Sequence, residues 1–177
     1  MAIPEEERFH ELVDGEIIRK GDPTGEHGSA QVRIASHLDT PFGRPPGRFP
    51  GGWWFASEVE IQFGKDVCRP DVVGWRREKL AERPRGAPIA TWPDWICEIL
   101  STNKRNDLVR KKHIYHQHQV PHYWILDPQE GTLAVYRWHN DGYLEVLTAE
   151  RGQRVRAEPF DAVELAVGSL LGDDPED

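Results

Sequence analysis

The sequence is poor in cysteine, in long apolar runs and in positive charge, and each shortage narrows the class of protein. Only Cys68 and Cys97 are present. Two cysteines are too few for a cysteine-built metal site, so we expect free, buried thiols. No apolar run approaches the roughly 20 residues of a membrane-spanning helix, and the N-terminus lacks the apolar segment of a secretory signal. We therefore expect a cytoplasmic protein with no membrane partner.

The net charge of −8 argues against a protein that coats nucleic acid through a global positive field. Local contact is still compatible with this charge, since basic residues cluster at 76–85 and at 104–112. A solvated surface explains these clusters equally well. A chain of 177 residues with 38% hydrophobic content fits one domain over residues 1–177, with a flexible acidic tail at 172–177.

Proline, glycine and apolar periodicity divide the N-terminal half of the chain. Residues 27–38 predict a helix whose buried stripe includes Val32. Residues 40–52 are too rich in proline and glycine for a regular element, so they predict a loop. Residues 53–63 alternate between apolar and polar positions. This alternation predicts one half-buried strand. Its polar face, with Glu58 and Glu60, is expected to point to solvent, and a catalytic centre that one of these two acids faces is the alternative.

The remaining elements predict a mixed α/β (α+β) fold. Turn signals at Asp14-Gly15 and Asp141-Gly142 indicate two hairpins. Residues 106–119 predict a second substantial helix. The order of elements is typical of a central mixed β-sheet flanked by helices. Seven tryptophans exceed what a small core readily needs, so we also expect a homodimer.

Two strand-like segments each carry one acid. "CRPDVVGW" contains Asp71, and "PDWICEIL" contains Glu98. A buried carboxylate is costly unless it is paired, hydrogen-bonded or bound to a metal. Strand parity places apolar residues on the same face as each acid. If the strands are adjacent, the two carboxylates could bind a hard cation together. The structural alternative is a turn cap or an ion pair with an arginine, since Asp71 follows a proline.

One lysine of the second predicted helix lies on its apolar stripe. Residues at spacings of three and four form this stripe, namely Leu108, Lys111, Ile114, Tyr115 and His118. Lys111 therefore faces the core, unlike Lys112, and it needs an anionic partner that the two acids would supply. A lysine that snorkels from the edge of the stripe is the alternative.

Several segments, taken in order, resemble one bacterial family. The segments are "ELVDGE", His27, "RPDVVGW", "WICEILS" and "NDLVRKKHIYHQHQVPHYWILDP". They are similar to the putative restriction endonuclease family of the PD-(D/E)XK nuclease superfamily. The resemblance runs from about Phe9 to Trp138. Its most specific part is D-x-x-x-K-x-x-x-Y followed by V-P-x-Y-W-I-L-D-P. It implies a restriction-endonuclease-like core.

The resemblance also implies a catalytic set. Asp71 and Glu98 match the two acids of the motif, which would hold Mg²⁺ or Mn²⁺, and Lys111 matches its lysine. Supporting positions of the family are matched by Glu11, His27 and Tyr115.

Two positions depart from the pattern of the superfamily. The pattern has a lysine two residues after the second acid, where this chain has Leu100. The lysine is therefore expected to have moved to Lys111 on the following helix. His122 stands where the family more often has an acid, and we expect little consequence. The four histidines at 113–122 fit no standard zinc spacing, which predicts exposed positions on the helix.

The function implied is a metal-dependent endonuclease that hydrolyses phosphodiester bonds, with DNA as the expected partner. Lys111 would orient or help deprotonate a water molecule and offset charge on the phosphate. One alternative is a nucleic-acid-binding or assembly module of the same fold without turnover, which the acidic charge and Leu100 favour. A second alternative is a hydrolase of a small phosphorylated molecule.

Overall fold

A computed structural model of the chain describes residues 10–21, 23–101 and 105–174, without the side chains of residues 105–107. Within these ranges the elements are β1 (His10–Val13), β2 (Glu16–Arg19), α1 (Gly25–Phe42), β3 (Trp53–Ser57), β4 (Ile61–Phe63), β5 (Asp66–Cys68), β6 (Val72–Arg76), β7 (Trp95–Ile99), α2 (Arg105–Gln117), β8 (His122–Asp127), β9 (Thr132–Arg137), β10 (Leu144–Glu150), β11 (Arg154–Val155), β12 (Leu165–Ala166) and α3 (Val167–Leu170).

A six-stranded mixed sheet forms the centre of the structure, with the strand order β10-β9-β8-β7-β6-β3. Strands β7 and β8 are parallel, and the other neighbours in this sheet are antiparallel. Helix α2 makes the crossover that a parallel pair requires. A four-stranded sheet, β2-β1-β5-β4, and the pair β11-β12 complete the described strands. The predicted α+β fold with a central mixed sheet flanked by helices is confirmed.

Two apolar layers cover the two faces of the central sheet. Helix α1 contributes Ile34 to the layer that contains Val72 of β6. Helix α2 contributes Ile114 to the layer that contains Val73 of the same strand. Successive residues of β6 therefore point to opposite layers, as the period of a strand requires.

Strands β6 and β7 are neighbours, as predicted. They run antiparallel, with Val72 opposite Cys97 and Gly74 opposite Trp95. Asp71 directly precedes β6, and Glu98 lies near the carboxyl end of β7. Because the two strands run in opposite directions, both acids lie at the same end of the pair.

Helix α1 is longer than predicted and buries a different face. It continues through Pro41 to Phe42, into the segment predicted as a loop. Val32, predicted to be buried, is 70% exposed. The helix instead buries a stripe at spacings of three and four, which comprises His27, Ala30, Ile34, Leu38 and Phe42.

The single strand predicted at 53–63 is two strands in two different sheets. Strand β3 pairs with β6 in the central sheet, and β4 pairs with β5 in the four-stranded sheet. Glu58 lies between them with a φ of 54°, a backbone conformation that a residue other than glycine adopts at a cost. The chain changes sheets at Glu58, and the Glu58 carboxylate bonds to Lys20. Glu58 keeps the partial exposure to solvent that was expected, since its side chain is 38% exposed, and it also joins a group of buried side chains.

Tryptophan placement weakens one argument for a dimer. Four of the seven tryptophans are buried in the core, namely Trp53, Trp75, Trp95 and Trp124. Tryptophan content is thus partly explained by the fold itself. The homodimer stays a prediction.

Three smaller features bear on the sequence predictions. Cys68 and Cys97 are buried and free, as expected. Of the acidic segment at 172–177, Asp173 pairs with Arg151, and residues 175–177 lie outside the described residues. In the described ranges, no helix has both the length and the apolar character to cross a membrane.

Candidate functional site

Asp71 is completely buried at the start of β6 and contacts three different elements. Its Oδ2 accepts a hydrogen bond of 2.6 Å from the N–H of Ile99 at the end of β7. Its Oδ1 lies 2.8 Å from Nζ of Lys20 and 3.2 Å from Nε2 of His27 on α1. One carboxylate oxygen therefore accepts a hydrogen bond from the backbone of the sheet, while the other faces two basic side chains.

Lys20, one residue beyond β2, ends among four oxygens. Its Nζ donates to both carboxylate oxygens of Glu58 (2.9 and 2.8 Å), to the carbonyl of Arg69 (2.9 Å) and to Oδ1 of Asp71 (2.8 Å). The side chain is only 8% exposed. Burial lowers the pKa of Lys20, but the carboxylates, Asp71 first, outweigh burial and raise that pKa above its ordinary value. Lys20 is therefore charged and neutralises the acids around it.

Glu58 and Gln31 link this group to α1. The side-chain amide of Gln31 donates to Oε1 of Glu58 at 3.1 Å and to the carbonyl of Asp71 at 2.9 Å. The N–H of Glu58 donates to the same carbonyl at 3.3 Å. Since the Glu58 side chain is 38% exposed, the group opens to solvent on the side of Glu58.

Glu98, the second predicted acid, belongs to a neighbouring buried group. Its Oε1 accepts hydrogen bonds from Nζ of Lys111 (2.9 Å) and from the hydroxyl of Tyr115 (2.6 Å). The same Nζ lies 2.7 Å from Oε1 of Glu11, and that oxygen also accepts the N–H of Arg69 at 2.6 Å. The predicted contact of Lys111 with an acid of the pair is therefore present.

Charge and burial set the protonation of this second group. Burial raises the pKa of Glu98, Lys111 opposes this shift, and the charge of Asp71 adds to it. Burial lowers the pKa of Lys111, but Glu11 and Glu98 outweigh burial and hold that pKa well above its ordinary value. Burial also raises the pKa of Tyr115, so the phenol keeps the proton that it donates to Glu98.

The six predicted site residues divide into these two groups. Asp71 and His27 lie with Lys20 and Glu58, whereas Glu98, Lys111, Tyr115 and Glu11 lie together. Neither Lys20 nor its ion pair with Glu58 was predicted from the sequence. Lys20 follows a mostly exposed strand, where no periodicity marks a buried lysine, and nothing in the sequence marks the break at Glu58.

One ligand atom each from His27, Glu58 and Asp71 lie within 4.8 Å of one another. Among the residues that the structure describes, this is the group that could hold a metal ion. Carboxylate oxygens suit Mg²⁺ or Mn²⁺, and an imidazole suits a transition metal such as Mn²⁺ better than Mg²⁺. The residues therefore fit a divalent cation beside Asp71. Glu98, predicted to share the cation with Asp71, is outside this group, and its Oε1 bonds to Lys111 and Tyr115.

The histidines at 113–122 are absent from that ligand group. His113 is exposed, as predicted. His116 instead stacks on Trp138, and His118 packs edge-on against Phe63. These two rings therefore contribute to packing between α2 and the strands that face it.

His122, at the start of β8, gives stability a dependence on pH. Burial lowers its pKa from 6.5 to about 4. Between these two pH values, His122 binds a proton in the unfolded chain but not in the folded protein. The free energy of unfolding therefore decreases as the pH falls from 6.5 toward 4, by as much as about 3 kcal/mol. We expect urea unfolding of His122→Asn to show a smaller loss between about pH 7 and about pH 4.5. The half-exposed His139, changed to Asn, is the control, and equal losses in His122→Asn and the parent would contradict the prediction.

Comparisons with known proteins show the family of the chain and a solved structure that it resembles. The sequence model of the Uma2 family, described as putative restriction endonuclease, matches residues 1–168. The chain belongs to this family. No curated protein matches the sequence. The chain is similar to a solved structure, that of a putative nuclease belonging to DUF820 from Anabaena variabilis ATCC 29413. The two are 25% identical with a TM-score of 0.74, over 96% of this chain and 93% of that one. Both comparisons support a nuclease.

A cavity lies at one end of the central sheet in this Uma2 chain. Leu100, which stands where the superfamily pattern has a lysine, forms part of its wall. The cavity has a volume of about 310 Å³ and is lined by Thr24, Glu26, Leu100, Ser101, Pro128 and Gln129. Leu100 follows β7 and Pro128 follows β8, so the cavity lies at the end of the sheet that carries Asp71 and Glu98.

Proposed function

We propose that this member of the Uma2 family is a metal-dependent endonuclease that hydrolyses phosphodiester bonds of DNA. The observation that carries the proposal is the meeting of two buried acids and two buried lysine side chains at one end of the central sheet, Asp71, Glu98, Lys20 and Lys111. Buried charges of this kind are costly and cluster at functional sites. Membership in a family described as putative restriction endonuclease supports the same reaction class.

Asp71, His27 and Glu58 would hold the cation, with Mg²⁺ and Mn²⁺ as the candidates. A divalent cation held there would polarise the scissile phosphate and lower the pKa of a water molecule. Glu98, predicted together with Asp71 as a ligand, stays in the proposed site as the second acid, on the strand next to Asp71.

Lys111 has a positioning role in this proposal. Its ammonium lies between Glu98 and Glu11, at 2.9 and 2.7 Å, and its side chain is 4% exposed. Tyr115 bonds to the same oxygen of Glu98. Lys111 and Tyr115 would together fix the orientation of the Glu98 carboxylate, whereas the sequence led us to expect that Lys111 acts directly on a water molecule and on the phosphate.

A nucleic-acid-binding or assembly module without turnover is the second candidate. The net charge of −8 and Leu100 at the lysine position favour it. No separate structural observation favours hydrolysis of a small phosphorylated molecule. The test below includes such a substrate to distinguish this activity.

The test is a cleavage panel with the purified full chain. Supercoiled plasmid, linear duplex, single-stranded DNA, RNA and p-nitrophenyl phosphate are each incubated with Mg²⁺, with Mn²⁺ and with a chelator. We expect DNA strand breaks that require the cation and stop in the chelator. Binding of DNA without breaks would support the module instead, and turnover of p-nitrophenyl phosphate alone would support the small-molecule hydrolase.

We also propose a homodimer with a cytoplasmic location. Two copies would present two sites to the two strands of a duplex, an arrangement that a two-fold axis supplies. Light scattering coupled to size-exclusion chromatography should give twice the monomer mass of 20.3 kDa. A monomer mass at high protein concentration contradicts this expectation.

A further inference from the structure

The ammonium of Lys20 lies where a divalent cation would bind. Its four acceptors, at 2.8 to 2.9 Å, are three carboxylate oxygens and one backbone carbonyl, from Glu58, Asp71 and Arg69. These are the ligand types that hard divalent cations take in proteins. Two of these residues, Glu58 and Asp71, also belong to the group of possible metal ligands.

His27 adds a nitrogen ligand atom at this place. Its ring is 2% exposed, and its Nε2 lies 3.2 Å from the Asp71 oxygen that Lys20 contacts. Its Nδ1 finds no hydrogen-bond partner among the described residues. The ring atom that faces the Asp71 carboxylate is Nε2, and an imidazole nitrogen is a common metal ligand. An ammonium and a divalent cation would repel each other strongly at these distances.

We propose that Lys20 and a divalent cation are alternative occupants of the site formed by His27, Glu58 and Asp71. In the metal-free protein Lys20 neutralises the acids. When the cation binds, Lys20 leaves and contacts the scissile phosphate, which makes it the catalytic lysine. This inference rests on the proposed nuclease function and specifies the lysine that acts in it.

The two buried lysines differ in their freedom to move. If Lys111 moved away, the buried carboxylates of Glu11 and Glu98 would have no cation beside them. Lys20 lies beyond the end of β2 and beside the partly exposed Glu58. The cation would also replace Lys20 as the counter-charge of Asp71. Lys20 is therefore the lysine that can reach a substrate.

The experiment compares Mn²⁺ binding and DNA cleavage in Lys20→Met, Lys20→Arg and a matched control. Lys79→Met is the control, because Lys79 pairs with Asp94 at the other end of β6 and β7. Mn²⁺ affinity is measured by electron paramagnetic resonance of the free ion, without nucleic acid. Removal of the competing charge should tighten Mn²⁺ binding of Lys20→Met about tenfold or more, while Lys79→Met binds like the parent. Circular dichroism checks that each variant is folded.

Cleavage at saturating Mn²⁺ gives the second readout. We expect Lys20→Met to be about a hundredfold slower than the parent despite its tighter binding, with part of the rate restored in Lys20→Arg. Unchanged or weaker Mn²⁺ binding by Lys20→Met would overturn the shared site. Tighter binding at the parent's rate would overturn the contact with phosphate. A parent without any nuclease activity overturns the proposed function and that contact together, whereas the Mn²⁺ titration still decides whether Lys20 and the cation share one site.

Discussion

Lys111→Met is expected to lower the free energy of unfolding by about 3 to 5 kcal/mol, because it leaves two buried carboxylates without a cation. Glu11 and Glu98 are 4% and 1% exposed, and both lie within 3 Å of the Lys111 ammonium. Methionine keeps most of the apolar stem of lysine, so the loss reports the missing charge rather than a cavity. Urea unfolding monitored by tryptophan fluorescence measures it.

Lys112→Met on the same helix is the matched control. The Lys112 ammonium lies 3.7 Å from the ring centroid of Tyr136, a contact worth about 0.5 to 1 kcal/mol at a partly exposed position. We expect the control to lose no more than this amount. Equal losses in the two variants would mean that the buried acids do not depend on Lys111.

Neutralising the stranded acids tests the cause of the loss. Lys111→Met combined with Glu11→Gln should recover part of it, because one carboxylate then no longer lacks a cation. The deficit should also shrink as the pH falls, since without Lys111 the stranded carboxylates bind protons more readily in the folded protein than in the unfolded chain. If neither recovery is seen, lost packing of the lysine stem explains the deficit.

The positions of Lys111 and of the two acids could be predicted because each lies in or beside a regular element. On a helix, the apolar residues on either side of Lys111 fix the direction of its side chain. On a strand, parity assigns Asp71 and Glu98 to the same layer as Val73 and Ile96, and these two residues pack in one layer with α2. Sequence periodicity therefore predicted the positions of Lys111, Glu98 and Asp71, whereas Glu11 and His27 came from the family resemblance alone.

Lys20 and Glu58 could not be predicted because both lie outside regular elements. Lys20 follows β2, while Glu58 lies between two strands of different sheets with a positive φ. Their ion pair joins residues 38 positions apart, and the contact of Lys20 with Asp71 joins residues 51 positions apart. Such contacts depend on where the strands of separate sheets end, which local pattern does not determine.

The buried face of α1 shows a related limit. Its apolar residues are sparse, so Val32 and Ile34 suggest two different stripes. Packing against the central sheet selects the stripe of Ile34, and it is this stripe that turns His27 inward toward Asp71. Tertiary contacts thus decided the phase of a weakly amphipathic helix.

Asp71→Asn is expected to lower metal-dependent cleavage at least about a thousandfold. The chain offers a closely matched control in Asp94. Each aspartate follows a proline and directly precedes one strand of the β6–β7 pair. Each accepts a hydrogen bond from the last N–H of the opposite strand, Ile99 at 2.6 Å for Asp71 and Arg76 at 2.8 Å for Asp94. Both aspartates also pair with a lysine.

Both substitutions remove one charge at the same kind of strand end, but Asp71 pairs with the buried Lys20 and Asp94 with the half-exposed Lys79. Asp71→Asn should therefore cost more stability than Asp94→Asn, and only Asp71→Asn should lose activity beyond that cost. An asparagine oxygen can still accept the N–H of the neighbouring strand, so each variant loses one charge and keeps the end of the strand pair. Asp94 is absent from the metal-ligand group of the described residues, and we expect Asp94→Asn to cleave DNA and bind Mn²⁺ like the parent. Cleavage rates, Mn²⁺ titrations and unfolding curves are measured on the same samples. If both variants lose activity in proportion to their loss of stability, Asp71 is a structural cap like Asp94 and the catalytic centre lies elsewhere.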